Sequence, residues 1–221
     1  MGISIALLRY LMREAGSTVG KDIIVPPLRI AVTFNRYHMH QLLLSRGAHV
    51  TNQIFQDSRY DPIYCGTELH KVFDLLIKSG GDPSHKDIRG YTPVHNAIAC
   101  DKAGTFRAFH ELGVRLDALD PVGRNILHLV AMSGTYHLIK AMRNAQVTIN
   151  PQALDNHGLK PLDYFRRRIG LLDEERRPAE VKPSKSDIAE FRVLLREVGE
   201  RYNQGMGRRT IDEKAGSIHL S

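Results

Sequence analysis

Asp87-Ile88-Arg89-Gly90-Tyr91-Thr92-Pro93-Val94-His95-Asn96-Ala97 decides the fold, because it returns 33 residues later. The second copy, Asp120-Pro121-Val122-Gly123-Arg124-Asn125-Ile126-Leu127-His128-Leu129-Val130, keeps the aspartate, the glycine and the histidine in the same slots. A third starts at Asp155, 35 residues on, and carries Gly158, Pro161, Leu162 and Asp163. Upstream, Pro27-Leu28 and Ala31 lie two periods before Pro93. A second landmark has the same spacing. Gly47, Gly80 and Gly113 are each 33 residues apart and close the apolar runs Leu42-Leu43-Leu44, Leu75-Leu76-Ile77 and Phe109 with Leu112. Two landmarks in fixed phase on one period mark a stack of repeated units.

Each recurring residue has a local reason. Asp87 and Asp120 start tight turns, where a carboxylate bonds the backbone two residues on. Gly90 and Gly123 allow positive φ at the turn tip, and Gly80 and Gly113 end a helix in a left-handed residue. Thr92 and Asn125 are capping residues, and Pro93 suits the first helical position, where its missing N–H costs nothing. Ala97, Val130 and Ala131 are small or medium, as close helix approach requires.

Thr92-Pro93-Val94-His95-Asn96-Ala97 resembles the ankyrin-repeat family, whose first helix opens with T-P-L-H-x-A and departs here only at Val94. The likeness covers about residues 1–170 and is strongest from 87 to 145. It implies an all-α solenoid of helix-turn-helix units joined by short β-hairpin-like turns. Residues 1–168 then hold about four repeats and a partial first unit, with 3–15 as its lone second helix. Helix pairs are expected over 26–46, 60–79, 92–112 and 125–144, and a last first helix over 160–168. Residues 169–185, with Pro178 and Pro183, read as a charged linker. Ser186-Asp187 precedes Ile188, Phe191, Leu194, Leu195 and Val198 at helical spacing. That predicts an amphipathic helix over 186–203, packed on the array as a displaced second helix. Residues 204–221 read as a disordered tail.

Composition narrows the function. The chain has 221 residues, 42% hydrophobic, with a formal net charge of +7, enough for a real core and weighted toward acidic partners. Residues 166–221 carry 13 Lys and Arg against 10 Asp and Glu, so the excess is slightly denser there. Two cysteines, Cys65 and Cys100, make neither a disulfide framework nor a metal cluster. The apolar stretch Ile3–Leu8 is too short for a membrane span. The expectation is an intracellular protein, cytoplasmic or nuclear, monomeric and off the membrane.

Eleven histidines invite a metal or catalytic reading, but the pattern declines it. His95 and His128 fall in the motif slot that, by the resemblance, bonds neighbouring backbone. His38 and His40 stand two apart on a helix and point to different faces. No zinc-protease, phosphate-loop or nucleophile-elbow motif occurs. No catalytic residue, cofactor or metal site is expected. Arg166-Arg167-Arg168 reads as a solvated face of a capping helix, or more sharply as a contact for an anionic partner. Nucleic acid is disfavoured, since few aromatic residues stand near the basic ones.

By the resemblance, the turn tips and the exposed side of each first helix form a binding face. On matching positions, the residue types favoured as interface anchors point to Arg89, Tyr91, Arg124, Leu129, Met132 and His157. The reading is a protein-interaction scaffold or adaptor whose partner carries an acidic segment. The alternative is a targeting or regulatory module of a larger protein, enzymatic or nucleic-acid-associated.

Overall fold

A computed structural model of the chain describes residues 28, 31, 37–45, 50, 66–171 and 182–217, with the side chains of 66–69 and 206–217 left aside. These residues form eight helices and no strand. They are α1 (Tyr37–Ser45), α2 (Gly66–Lys78), α3 (Pro93–Ala99), α4 (Ala103–Glu111), α5 (Ile126–Ser133), α6 (Tyr136–Asn144), α7 (Pro161–Gly170) and α8 (Lys185–Ser217). The all-α expectation holds, and the turns between helix pairs are made without strand pairing among the described residues. The expected helix over 3–15, Gly47, Cys65 and residues 172–181 of the linker lie outside the described residues, as does most of the pair over 26–46.

The chain divides into two compact units, one of residues 1–97 with 104–114 and one of 98–103 with 115–221. In the first, α1 packs on α2. Val72, Phe73 and Leu76 of α2 are buried at helical spacing, and Phe73 stacks on Phe109 of α4 at 4.8 Å between ring centroids. Gly80 and Gly113 take φ of +91° and +71°, which ends the helices before them where a Cβ would strain the backbone.

In the second unit, α7 packs on α5, and α8 packs on α6. Helix α8 thus lies against α6, the second helix of the preceding pair. Phe165 of α7 stacks on Phe191 of α8 at 4.1 Å, and Leu194 and Val198 complete the buried stripe. Arg143 of α6 reaches α8 with both arms: Nη1 donates to Glu190 at 2.6 Å and Nη2 to Glu197 at 2.7 Å. The paired guanidinium holds Glu197 below the usual carboxylate range, against a smaller opposing effect of burial. The start of α8 lies before Ser186. Ser184 caps it, with Oγ accepting from Asp187 N–H at 3.1 Å while Asp187 accepts from Ser184 N–H at 2.7 Å. The helix then continues to Ser217, through most of the stretch read as a disordered tail.

The junctions between paired helices are also built across repeats. Ser133 Oγ donates to Ile98 O at 3.2 Å, and Thr135 N–H and Oγ1 donate to Asp101 at 2.9 and 2.7 Å. Thr135 precedes α6 and makes no side-chain cap of its own, so Asp101 of the earlier loop caps the helix instead. One repeat on, Arg168 Nη1 donates to Gly134 O at 2.8 Å. Arg168 is buried, which corrects the reading of Arg166-Arg167-Arg168 as one solvated run: only Arg166 and Arg167 face solvent.

Candidate interaction surface

Three turns share one construction. In each, the aspartate Oδ1 accepts two backbone N–H groups at 2.9 Å, two and four residues on: Arg89 and Tyr91 for Asp87, Val122 and Arg124 for Asp120, His157 and Leu159 for Asp155. The sequence accounts for the first bond, and the second explains why the turn closes. The aspartate N–H returns a bond to the carbonyl four residues on, at 2.8 to 3.0 Å. Gly90, Gly123 and Gly158 sit at φ of +83°, +79° and +72° at the tips. At Gly123 the glycine is needed twice, because a Cβ would also press on Asn156, whose N–H donates to Val122 O at 2.9 Å.

The second aspartate oxygen differs from turn to turn, and that difference sorts the anchor residues. In the first unit, Asp87 Oδ2 accepts from Arg89 at 3.3 Å. Arg89 remains 64% exposed, and its guanidinium lies over the half-buried Tyr91 ring at 5.4 Å. Burial opposes ionisation of Asp87, but the Tyr91 and Arg89 N–H groups and the Arg89 side chain outweigh it and lower its pKa.

In the second unit, Asp120 is buried and pairs with Arg124 at 2.7 Å. The Arg124 side chain is only 13% exposed, and its Nη1 also lies 3.1 Å from Met132 Sδ. Arg124 is thus a strut of the turn. Leu129 is 4% exposed and belongs to the core. Both are corrections to the expected anchors, since each side chain is engaged inside the fold. Met132 is half-buried and His157 is exposed. In the third turn, Tyr164 donates its hydroxyl to Asp155 Oδ2 at 2.5 Å. Burial and that bond raise the Tyr164 pKa.

The outward side chains include several that carry hydrocarbon. Ile88 is fully exposed, Leu154 is 59% exposed, and Leu119 and Leu159 are also open to solvent. Leu119 and Leu154 each stand just before the turn aspartate. The motif does not cover that slot, so only the period itself could have drawn attention to them.

His95 and His128 take structural places. Thr92 N–H donates to His95 Nδ1 at 3.0 Å, and Asn125 N–H to His128 Nδ1 at 3.1 Å. An accepting Nδ1 leaves the His128 proton on Nε2, which donates to Leu159 O at 3.1 Å in the next turn. Burial pushes the His128 pKa below its ordinary 6.5, partly offset by the Leu159 carbonyl. The folded chain then binds fewer protons at this ring than the unfolded chain, so stability rises with pH across that interval. The contribution is complete above 6.5 and is lost as pH falls below it. Thermal midpoints across this range are expected to fall more steeply for the wild type than for His128→Gln; parallel slopes would refute the assignment.

Among the described residues, no three His, Cys, Asp or Glu side chains lie close enough to hold a metal ion. No described helix is long and apolar enough to cross a membrane. No family model matches the sequence. Over 124 residues, covering 52% of this chain, it is 30% identical to ankyrin repeat domain-containing protein 63 of Homo sapiens, and the Mus musculus protein of that name is similar to the same degree. The chain spans about a third of the length of these curated relatives.

Proposed function

Taking the chain as the ankyrin-repeat array that its period, its turns and its relatives make it, we propose that it is a scaffold or adaptor that holds another protein and performs no chemistry of its own. One observation supports this reading most. The turns hold their aspartates inward and leave Ile88, Leu119, Leu154 and Leu159 outside, in solvent. A lone exposed leucine needs no explanation, but Leu119 and Leu154 recur at the same slot, just before the turn aspartate, and give the second unit a repeated apolar feature that a partner can cover. Arg89, Tyr91, Met132 and His157, one cation, one phenol, one thioether and one imidazole, accompany those positions, each within its own unit.

The test uses Leu119→Asp with Leu154→Asp. Charge reversal at Arg124 is a poor probe, because Arg124→Glu sets two carboxylates together at a buried site. Affinity purification from native cells is expected to lose its specific partners with the leucine double variant. Loss of two anchors weakens binding by about 30-fold or more if either is a hot spot. Unchanged recovery of the same partners, with helical circular dichroism intact, would refute the tips as the binding surface.

A further inference from the structure

We infer that the outward face of α8, with the exposed arginines of α7, is a second binding surface, and that its ligand is an extended acidic stretch of polypeptide. The inference rests on the reading that this chain binds proteins, and it moves the acidic contact away from the turn tips.

Composition hides this surface. Residues 185–200 contain three cations, Lys185, Arg192 and Arg196, against four acids, Asp187, Glu190, Glu197 and Glu200. The fold separates them. Asp187 turns back to cap Ser184, and Glu190 and Glu197 both grip Arg143. Lys185, Arg192 and Arg196 fall on the exposed stripe, with Glu200 as the one acid beside them. A segment that is slightly acidic by count therefore presents a cationic face. Arg166 and Arg167 are exposed on α7, the helix whose Phe165 stacks on Phe191 of α8. Arg166 is 3.7 Å from Asp163, while Arg167 and Arg192 pair with no carboxylate among the described residues.

The tips cannot supply this contact equally well. Arg124 is engaged by a buried aspartate, and Arg89 shares its charge with Asp87. The chemistry of the α8 face selects the ligand. Of these five cations, on α8 and α7 together, four are arginines, whose planar forks match carboxylates two bonds at a time. Arg192 and Arg196 are one helical turn apart, a rise of about 6 Å. An extended chain presents side chains on one side every ~6.6 Å, so alternate Glu or Asp residues keep step with them. Duplex nucleic acid is a weaker fit, since duplex-binding proteins neutralise about six to ten phosphates. Single strands ask for stacked aromatic rings, and no aromatic residue of 185–200 other than the buried Phe191 is present.

The experiment is fluorescence anisotropy of the full chain with a short labelled polyglutamate peptide at low salt. Wild type is expected to bind, and affinity should fall as salt rises. Arg192→Glu with Arg196→Glu should weaken binding by about tenfold or more, since two exposed ion pairs are lost and reversal adds repulsion. Leu119→Asp with Leu154→Asp should bind the peptide like wild type, whatever it does to partner capture. Should the reversed variant lose helical signal, Arg192→Gln with Arg196→Gln gives the same readout without crowding Glu197. The inference is overturned by any of three results: no binding of polyglutamate by wild type, equal binding by the folded α8 variants, or tighter binding of a short DNA duplex than of the peptide.

Discussion

Asp120→Ala is expected to destabilise the chain by about 3–5 kcal/mol, the usual cost of breaking a buried ion pair from one side. The carboxylate holds two backbone N–H groups at 2.9 Å through one oxygen and Arg124 at 2.7 Å through the other. Its side chain is fully buried and that of Arg124 nearly so. Alanine leaves a guanidinium without its counter-charge and two amides without an acceptor. Asp120→Asn keeps the acceptor and loses the charge, so its cost should be smaller, about 1–3 kcal/mol. Domains of this kind have a total stability of about 5–15 kcal/mol, so the alanine variant should show a clearly shifted urea midpoint. A shift equivalent to less than about 1 kcal/mol would mean that water or a neighbour replaces the aspartate without difficulty.

Phe165→Ala is expected to cost about 3–5 kcal/mol and to loosen α8 in particular. Phe165 is buried and its ring lies 4.1 Å from that of Phe191, so truncation opens a cavity at the seam between α7 and α8. The Arg143 pairs with Glu190 and Glu197 remain, but half-exposed ion pairs compensate poorly for lost packing. Hydrogen exchange should quicken in residues 185–200 before it quickens in α5. Phe191→Ala should behave alike, and the two changes together should fall short of additivity by about 0.5–1.5 kcal/mol. Strict additivity would show that the rings do not depend on one another.

Residues 87–170 were legible in the sequence because a tight turn leaves little chemical choice. It needs an acceptor at its start, glycine at its tip and a capping residue after it, and Asp120, Gly123 and Asn125 meet those needs in order. The surface was less legible because one residue type has two fates. Arg89 and Arg124 both reach the second oxygen of a turn aspartate, yet from position two on the contact is 3.3 Å and the side chain stays 64% exposed, while from position four on it is 2.7 Å and the side chain is 13% exposed. Leu129 looked available because the motif says nothing of its slot, and packing decides it. Arg168 looked like its two neighbours in a basic run, although helical spacing sets it on the inner side with Phe165. The start of α8 was readable: Ser184 and Asp187 have capping-box spacing, and Ser186 drew the reading off by two residues.

The bonds across the helix junctions give the array a direction. Ser133 and Thr135 complete the polar groups of Ile98 and Asp101, and Arg168 completes the carbonyl of Gly134. In each of these contacts the donor comes from the later repeat and the acceptor from the earlier one. The stack is therefore not symmetric under shortening. Trimmed from its C-terminal side, it loses the donors to Ile98 O, Asp101 and Gly134 O; trimmed from its N-terminal side, it leaves the Thr135 N–H at the start of α6 without its acceptor.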